Sequence, residues 1–202
     1  MGKLKLKGAA LQFPIILRRD MQEFKIYSIS DEYISYLRMY EPNVYSNKTG
    51  CRTHTRKYIG TVIDINGIDY YVPMSSPKET DYQIAGENRV IKKSIVPIIR
   101  ITEKNNGIKE LKGTLRISHM IPVPESELTL YDLDNEPDED YKSLVKAEAI
   151  FIRKNSKKIK ENASLLYKQK SENDQTAGYV KAALDYKRLE GLYDSFLKSK
   201  ME

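Results

Sequence analysis

The chain has 202 residues, a net charge of +6 and a pI near 9.1, so it suits one domain, or one domain with an extension, long enough to bury most of its apolar surface. A single cysteine, Cys51, excludes an intramolecular disulfide and fits a reducing cytoplasm, and no apolar run approaches the roughly 20 residues needed to cross a bilayer. The basic balance favours an anionic partner without identifying one.

Residues 1–22 carry Lys3, Lys5 and Lys7, then Ala9-Ala10-Leu11, Phe13-Pro14-Ile15-Ile16-Leu17 and Arg18-Arg19. Their apolar part is short, is interrupted by Gln12 and Pro14, and has no small-residue cleavage site. They are therefore read as an N-terminal extension or leader rather than a secretion signal, and residues 23–202 as a single domain. Residues 24–29 read as a strand. Ser30 can cap a helix from Asp31 to about Tyr40, whose first turn holds Asp31 and Glu32, where the helix dipole favours acids. The polar, aperiodic stretch 41–56 reads as a long loop of the functional kind.

From Ile59 the sequence runs Ile59-Gly60-Thr61-Val62-Ile63-Asp64-Ile65-Asn66-Gly67-Ile68-Asp69-Tyr70-Tyr71-Val72-Pro73-Met74-Ser75-Ser76-Pro77-Lys78. Asn66-Gly67 between two β-rich runs predicts a type I′ hairpin, since both residues tolerate positive φ, and Pro73 is expected to end the second strand. The loop after it can offer two hydroxyls and one ammonium group to a single anion. Residues 94–101 and 111–117 read as two more strands around Asn105-Asn106-Gly107. The acidic run 132–140 has Pro137 where a calcium loop needs glycine, and is read as a complement to the N-terminus of the following helix.

From Tyr141 the period becomes helical. Val145, Ala149, Ile152, Ile159, Ala163 and Leu166 form one stripe, and Ala182, Tyr186, Leu189, Tyr193 and Phe196 another, both expected to be core. Between them Lys154, Lys157 and Lys158 form part of a lopsidedly basic surface that suits an anionic partner. The fold class is α+β: a curved, mostly antiparallel sheet or small barrel packed with helices, with long C-terminal helices.

The histidines, His54 and His119, begin no metal-ligand motif, so metal-free chemistry is expected and no cofactor is implied. Metal-free chemistry at a phosphate needs a group that removes a proton, cations that stabilise charge on phosphorus and a group that delivers a proton. Lys78 and Arg56 offer charge, Ser75 and Ser76 hydroxyl contacts, and Tyr33 a phenol; His54, in the long loop, can act as acid or base. Each also has a structural reading: turn chemistry for the serines, core packing for Tyr33, a surface charge for Arg56.

Four segments in order carry a family resemblance: Tyr27-Ser28-Ile29-Ser30-Asp31-Glu32-Tyr33-Ile34-Ser35-Tyr36-Leu37, the 59–78 run, Met120-Ile121-Pro122-Val123-Pro124-Glu125-Ser126-Glu127-Leu128, and Leu184-Asp185-Tyr186-Lys187-Arg188-Leu189-Glu190. Together they resemble the ToxN/AbiQ family, including its CptN variant, whose members are type III toxin-antitoxin endoribonucleases held inactive by a repetitive RNA. The resemblance implies a cytoplasmic, metal-independent RNase acting on cellular and phage RNA, in growth arrest or abortive phage infection. The partner it implies is a tandem-repeat antitoxin RNA folded into pseudoknots, alternating with the toxin in a closed ring, with no membrane contact. A non-catalytic RNA-binding module using the same groove is the alternative.

By the same resemblance the family's strand-end loop lands on Ser75, Ser76 and Lys78, its early tyrosine on Tyr33, and its lysine before the next strand on Arg56. Arg52, Lys57, Tyr82, Lys154, Lys157 and Lys158 are the expected RNA contacts. Two departures stand out. Thr80 replaces an aromatic two places after the loop lysine, with Tyr82 the nearest substitute. Arginine at 56 keeps its charge, so it cannot exchange a proton as lysine can.

Overall fold

The computed structural model describes residues 24–47, 54–174 and 176–201. Residues 1–22, Cys51 and Arg52 lie outside them. The elements are β1 (Lys25–Ile29), α1 (Asp31–Tyr40), β2 (Tyr58–Ile65), β3 (Ile68–Ser75), β4 (Tyr82–Ala85), β5 (Asn88–Ile91), β6 (Ile98–Asn105), β7 (Ile108–Arg116), β8 (Ile121–Pro122), β9 (Leu128–Leu130), α2 (Glu139–Lys154), α3 (Ser156–Ser171), α4 (Gly178–Lys181) and α5 (Tyr186–Ser199).

Local chemistry fixes several boundaries as expected. Ser30 caps α1, its hydroxyl accepting the Tyr33 N–H at 3.1 Å, and Asp138 caps α2 by accepting the Tyr141 N–H at 3.0 Å. Asn66 and Gly67 have φ of 54° and 84°, and Asn106 and Gly107 φ of 50° and 85°, so both hairpins turn on residues that tolerate the left-handed region.

The main sheet has seven strands in the order β6-β7-β3-β2-β1-β9, with β8 also paired to β3, and every one of these pairings is antiparallel. Its ends do not meet, so it is an open sheet and not a closed barrel. Helix α2 packs on β6 and β7, α3 on β2, and α5 on β8 and α3. The core between them holds Tyr33, Leu37, Tyr58, Ile59, Tyr70, Ile101, Leu115, Ile159, Leu166 and Tyr186. Burying such aliphatic and aromatic side chains contributes about 1.5–3 kcal/mol each.

Three expectations are corrected. Pro73 does not end β3, which runs on to Ser75. Beyond β2, Tyr70 and Tyr71 pair with β8 while Met74 and Ser75 pair with β7, so Pro73 falls at the gap between two partner strands, where no ladder needs its missing N–H. The strand expected from residue 94 is β6, which begins at Ile98. The basic helical region is two helices, because Asn155 Nδ2 bonds the Phe151 carbonyl at 2.8 Å and competes with the backbone ladder there. The small β4–β5 hairpin had no clear sequence signal. Of the two stripes, most members are buried, but Ala149 and Tyr193 are half-buried and Ala182 is exposed in the link before α5.

Candidate active site

Beside the end of β3 lies a cavity of about 270 Å³ lined by His54, Arg56, Lys57, Ser75, Ser76, Lys112, Tyr141 and Glu148, with Thr55, Met74 and Leu144. Ser75 is the last residue of β3, and its carbonyl accepts the Thr114 hydroxyl of β7 at 3.3 Å. Its side chain is buried, and its hydroxyl accepts from Arg56 Nη1 at 3.0 Å. Ser76, one residue on, is exposed. One of the two hydroxyls is therefore committed to the protein and the other faces out.

Arg56, only 6% exposed, acts as a fork. Nη1 also donates to the Met74 carbonyl at 3.0 Å and Nε to the Ser46 carbonyl at 3.2 Å, while the guanidinium lies 4.6 Å from the centre of the Tyr45 ring. It ties the 41–47 loop to the end of β3. The exit of the serine loop is fixed separately. Asp81, buried, accepts the Lys78 N–H at 3.0 Å and pairs with Arg100 and Arg116 at 3.2 Å each. Lys78 itself is exposed and lies outside the cavity lining.

His54 is stacked on Tyr141, with ring centres 3.7 Å apart and planes at 4°, and its Nε2 is 3.3 Å from Asp138 Oδ2. The Tyr141 N–H and His54 together hold Asp138 below the usual carboxylate range. Lys57 donates to Ser28 Oγ at 3.1 Å and sits 4.3 Å from the Tyr131 ring centre; burial lowers its ammonium, with Glu136 opposing.

Five further expected residues lie outside the cavity. Tyr33 is fully buried in α1, its hydroxyl donates to the Pro122 carbonyl at 2.8 Å, and its ring meets Phe196 edge-on at 4.9 Å. Burial raises that phenol far above its ordinary value, and the residue serves the core rather than the cavity. Tyr33→Phe is accordingly expected to lower stability by about 1–2 kcal/mol and to leave RNA cleavage within about twofold of wild type per folded molecule; a loss of cleavage without a loss of stability would return Tyr33 to the site. Tyr82 is in β4, with the Arg89 guanidinium 3.6 Å from its ring centre, and does not line the cavity. Lys154, Lys157 and Lys158 are exposed around the α2–α3 junction, also away from the lining.

Glu148, Tyr141 and Lys112 were not singled out in sequence as site residues, and Glu148 is only 7% exposed. Its position, one turn before Ile152 and one after Val145 on an apolar stripe, is the one available sign that a carboxylate faces inward. His119 was missed as a neighbour of the loop. It stacks on Tyr45 at 4.2 Å, and burial, then Arg116, Arg56 and Lys78, push it down to about 4, so it is neutral at neutral pH. Among the described residues no group of three or more His, Cys, Asp or Glu side chains is placed to hold a metal ion.

A strand end that offers a free hydroxyl beside a fixed guanidinium and an imidazole is an arrangement for a phosphodiester. In sequence the chain belongs to the family of ToxN toxins of type III toxin-antitoxin systems, whose model matches residues 25–194. It is 30% identical to the endoribonuclease ToxN of Pectobacterium atrosepticum over 175 residues, 86% of this chain and 94% of that protein. To the endoribonuclease AbiQ of Lactococcus lactis subsp. lactis it is 30% identical over 167 residues, 82% of this chain and 85% of that one. A solved structure from work on selective toxin inhibition by a non-coding RNA pseudoknot superposes with a TM-score of 0.70 at 26% identity, covering 87% of this chain and 98% of the other. The solved AbiQ structure, a lactococcal anti-phage endoribonuclease, gives 0.71 at 26% identity over 88% and 99%.

Proposed function

We propose that this type III toxin is an endoribonuclease that cleaves single-stranded RNA without a metal ion. The ribose 2′-oxygen loses its proton and attacks the adjacent phosphorus, the bond to the 5′-oxygen breaks, and that oxygen takes up a proton, leaving a 2′,3′-cyclic phosphate and a 5′-OH. The observation that carries the reading is the exposed Ser76 hydroxyl at the end of β3, beside the Arg56–Ser75 pair and on the wall of a cavity that also contains His54. Ser76 donates to a phosphate oxygen, while Arg56 and Lys78 offset its growing charge. His54, oriented by Asp138, is the proton-transferring group of the set.

The partner is an antitoxin RNA of tandem repeats, folded into pseudoknots that occupy the same groove and alternate with the toxin in a closed ring. Lys154, Lys157 and Lys158 contribute backbone contacts to it. The substrates are cellular and phage RNAs, and the compartment is the cytoplasm; among the described residues no helix is long and apolar enough to cross a membrane. The close relatives named as endoribonucleases and the pseudoknot-inhibited structural neighbour support this setting.

The test is cleavage of a short single-stranded RNA in excess EDTA, with the product ends identified by mass. Full activity and cyclic phosphate ends are expected. A strict requirement for magnesium, or 3′-OH ends, would remove the mechanism, and binding without cleavage would reduce the protein to an RNA-binding module.

A further inference from the structure

We infer that the cavity next to Ser76 is a subsite for one unpaired nucleobase flanking the scissile phosphate, and that Glu148 holds the base by its hydrogen-bonding edge. The inference rests on the reading that Ser76 faces that phosphate. Three features of the cavity carry it.

Its walls are unlike one another. Arg56, Lys57, Ser75 and Ser76 form a polar side suited to the phosphate, whereas Tyr141, Leu144 and Met74 present ring and aliphatic surface. Tyr141 already carries a flat partner, the His54 ring, at 3.7 Å. Single-stranded RNA is bound by stacking splayed-out bases on such rings and by hydrogen bonds to their edges. The volume of about 270 Å³ suits a single base and not a paired stem.

The second feature is the space made for the carboxyl. At Gly113 on β7 a Cβ would collide with Glu148 Oε1, and the Ser75 carbonyl lies 3.3 Å from the same point. Glycine at that position therefore lets Glu148 reach the strand end where the serines sit. Any larger residue would displace it.

The third is the chemical state of the group. Glu148 is buried, and among the described residues nothing donates a hydrogen bond to it. Its oxygens are not sealed from the cavity, so a ligand that enters can supply the partner. The cations around the cavity are engaged elsewhere. Lys112 on β7 pairs with Glu110 at 2.7 Å and Glu103 at 3.3 Å, Arg56 holds Ser75 and main-chain carbonyls, Lys57 turns to Ser28, and His54 faces Asp138. Burial accordingly pushes Glu148 up to about 8, with no charge offsetting it. As a neutral acid at pH 7 it has one O–H donor beside one C=O acceptor, the same pair a glutamine amide offers. Every base edge that places an acceptor next to a donor can be held by such a pair, and an abasic nucleotide cannot.

The experiment uses RNA heptamers that carry each of the four bases, or an abasic residue, at the nucleotides flanking the cleavage point. Matched 2′-O-methyl heptamers, which cannot be cleaved, give affinities. Wild-type protein, Glu148→Gln and Glu148→Ala are compared, with thermal melts confirming that all three fold. Wild type is expected to bind the abasic heptamer roughly tenfold more weakly at one flanking position and to rank the four bases there. Glu148→Gln should keep that ranking, because it keeps the donor and acceptor. Glu148→Ala should flatten it, by roughly tenfold for the preferred base. Two results would overturn the inference. An unchanged ranking in Glu148→Ala would remove Glu148 from base contact. An equal loss of cleavage on every sequence in Glu148→Gln, with affinities unchanged, would make Glu148 a proton-transfer group instead. If wild type ranks bases in binding but cleaves nothing, the endoribonuclease reading fails and the subsite stands.

Discussion

Ser76→Ala is expected to reduce RNA cleavage by roughly 100-fold or more, the usual effect of removing one donor to a charge that develops in the transition state. Stability should stay within about 0.5 kcal/mol of wild type, because Ser76 is exposed and, among the described residues, its hydroxyl holds no hydrogen bond of the fold. Ser75, its neighbour, is different: its hydroxyl is buried against Arg56, so truncating it disturbs the support of the site as well as the site itself. The measurements are single-turnover cleavage of a short RNA and a thermal melt on the same preparation. Antitoxin binding by Ser76→Ala should persist. Cleavage within threefold of wild type would take Ser76 out of the chemistry and leave the cavity without its exposed donor.

Arg56→Ala should be the most damaging single change to both fold and activity. Its guanidinium donates to the Ser46 and Met74 carbonyls and to the Ser75 hydroxyl, joining a loop to the end of β3 from a buried position. Removing it leaves those acceptors without a donor, at a cost of about 2–4 kcal/mol in stability, and lets the serine loop move relative to the cavity. Cleavage should fall below detection. Arg56→Lys is the informative companion. Lysine keeps the charge but cannot span several acceptors as the planar fork does. It is expected to fold with a lowered melting temperature and to cleave roughly 10- to 100-fold more slowly, since misplacing a catalytic group by about 1 Å costs about that much. If Arg56→Lys melts like wild type and cleaves like wild type, only the charge at this position matters.

The sequence by itself determined what is settled within a few residues along the chain. Asn66-Gly67 and Asn106-Gly107 turn where they do because those residues accept positive φ, and Ser30 starts its helix because its hydroxyl meets an N–H three residues on. The apolar period from Val145 to Leu166 predicted which side chains enter the core, although not the break at Asn155, where a side-chain amide outcompetes the backbone. The strand-end serines and Arg56 were also legible as candidates, because the serines lie on a short loop after β3 and Arg56 lies just before β2.

Tertiary structure decided everything that depends on where a side chain points after distant segments pair. Tyr33 looked available from its place near a helix start, yet its face of α1 turns onto β8 and Phe196, and its hydroxyl is used by Pro122. Pro73 stays inside β3 only because two different strands cover the far edge of β3 on either side of it. Glu148 and Tyr141 join the serines because α2 packs across β6 and β7, and because Gly113 leaves room for a carboxyl. Turns and caps are local hydrogen-bond choices that neighbouring residues fix. A cavity is made by strand register and helix packing between residues far apart in the chain, and no spacing along the sequence encodes that meeting.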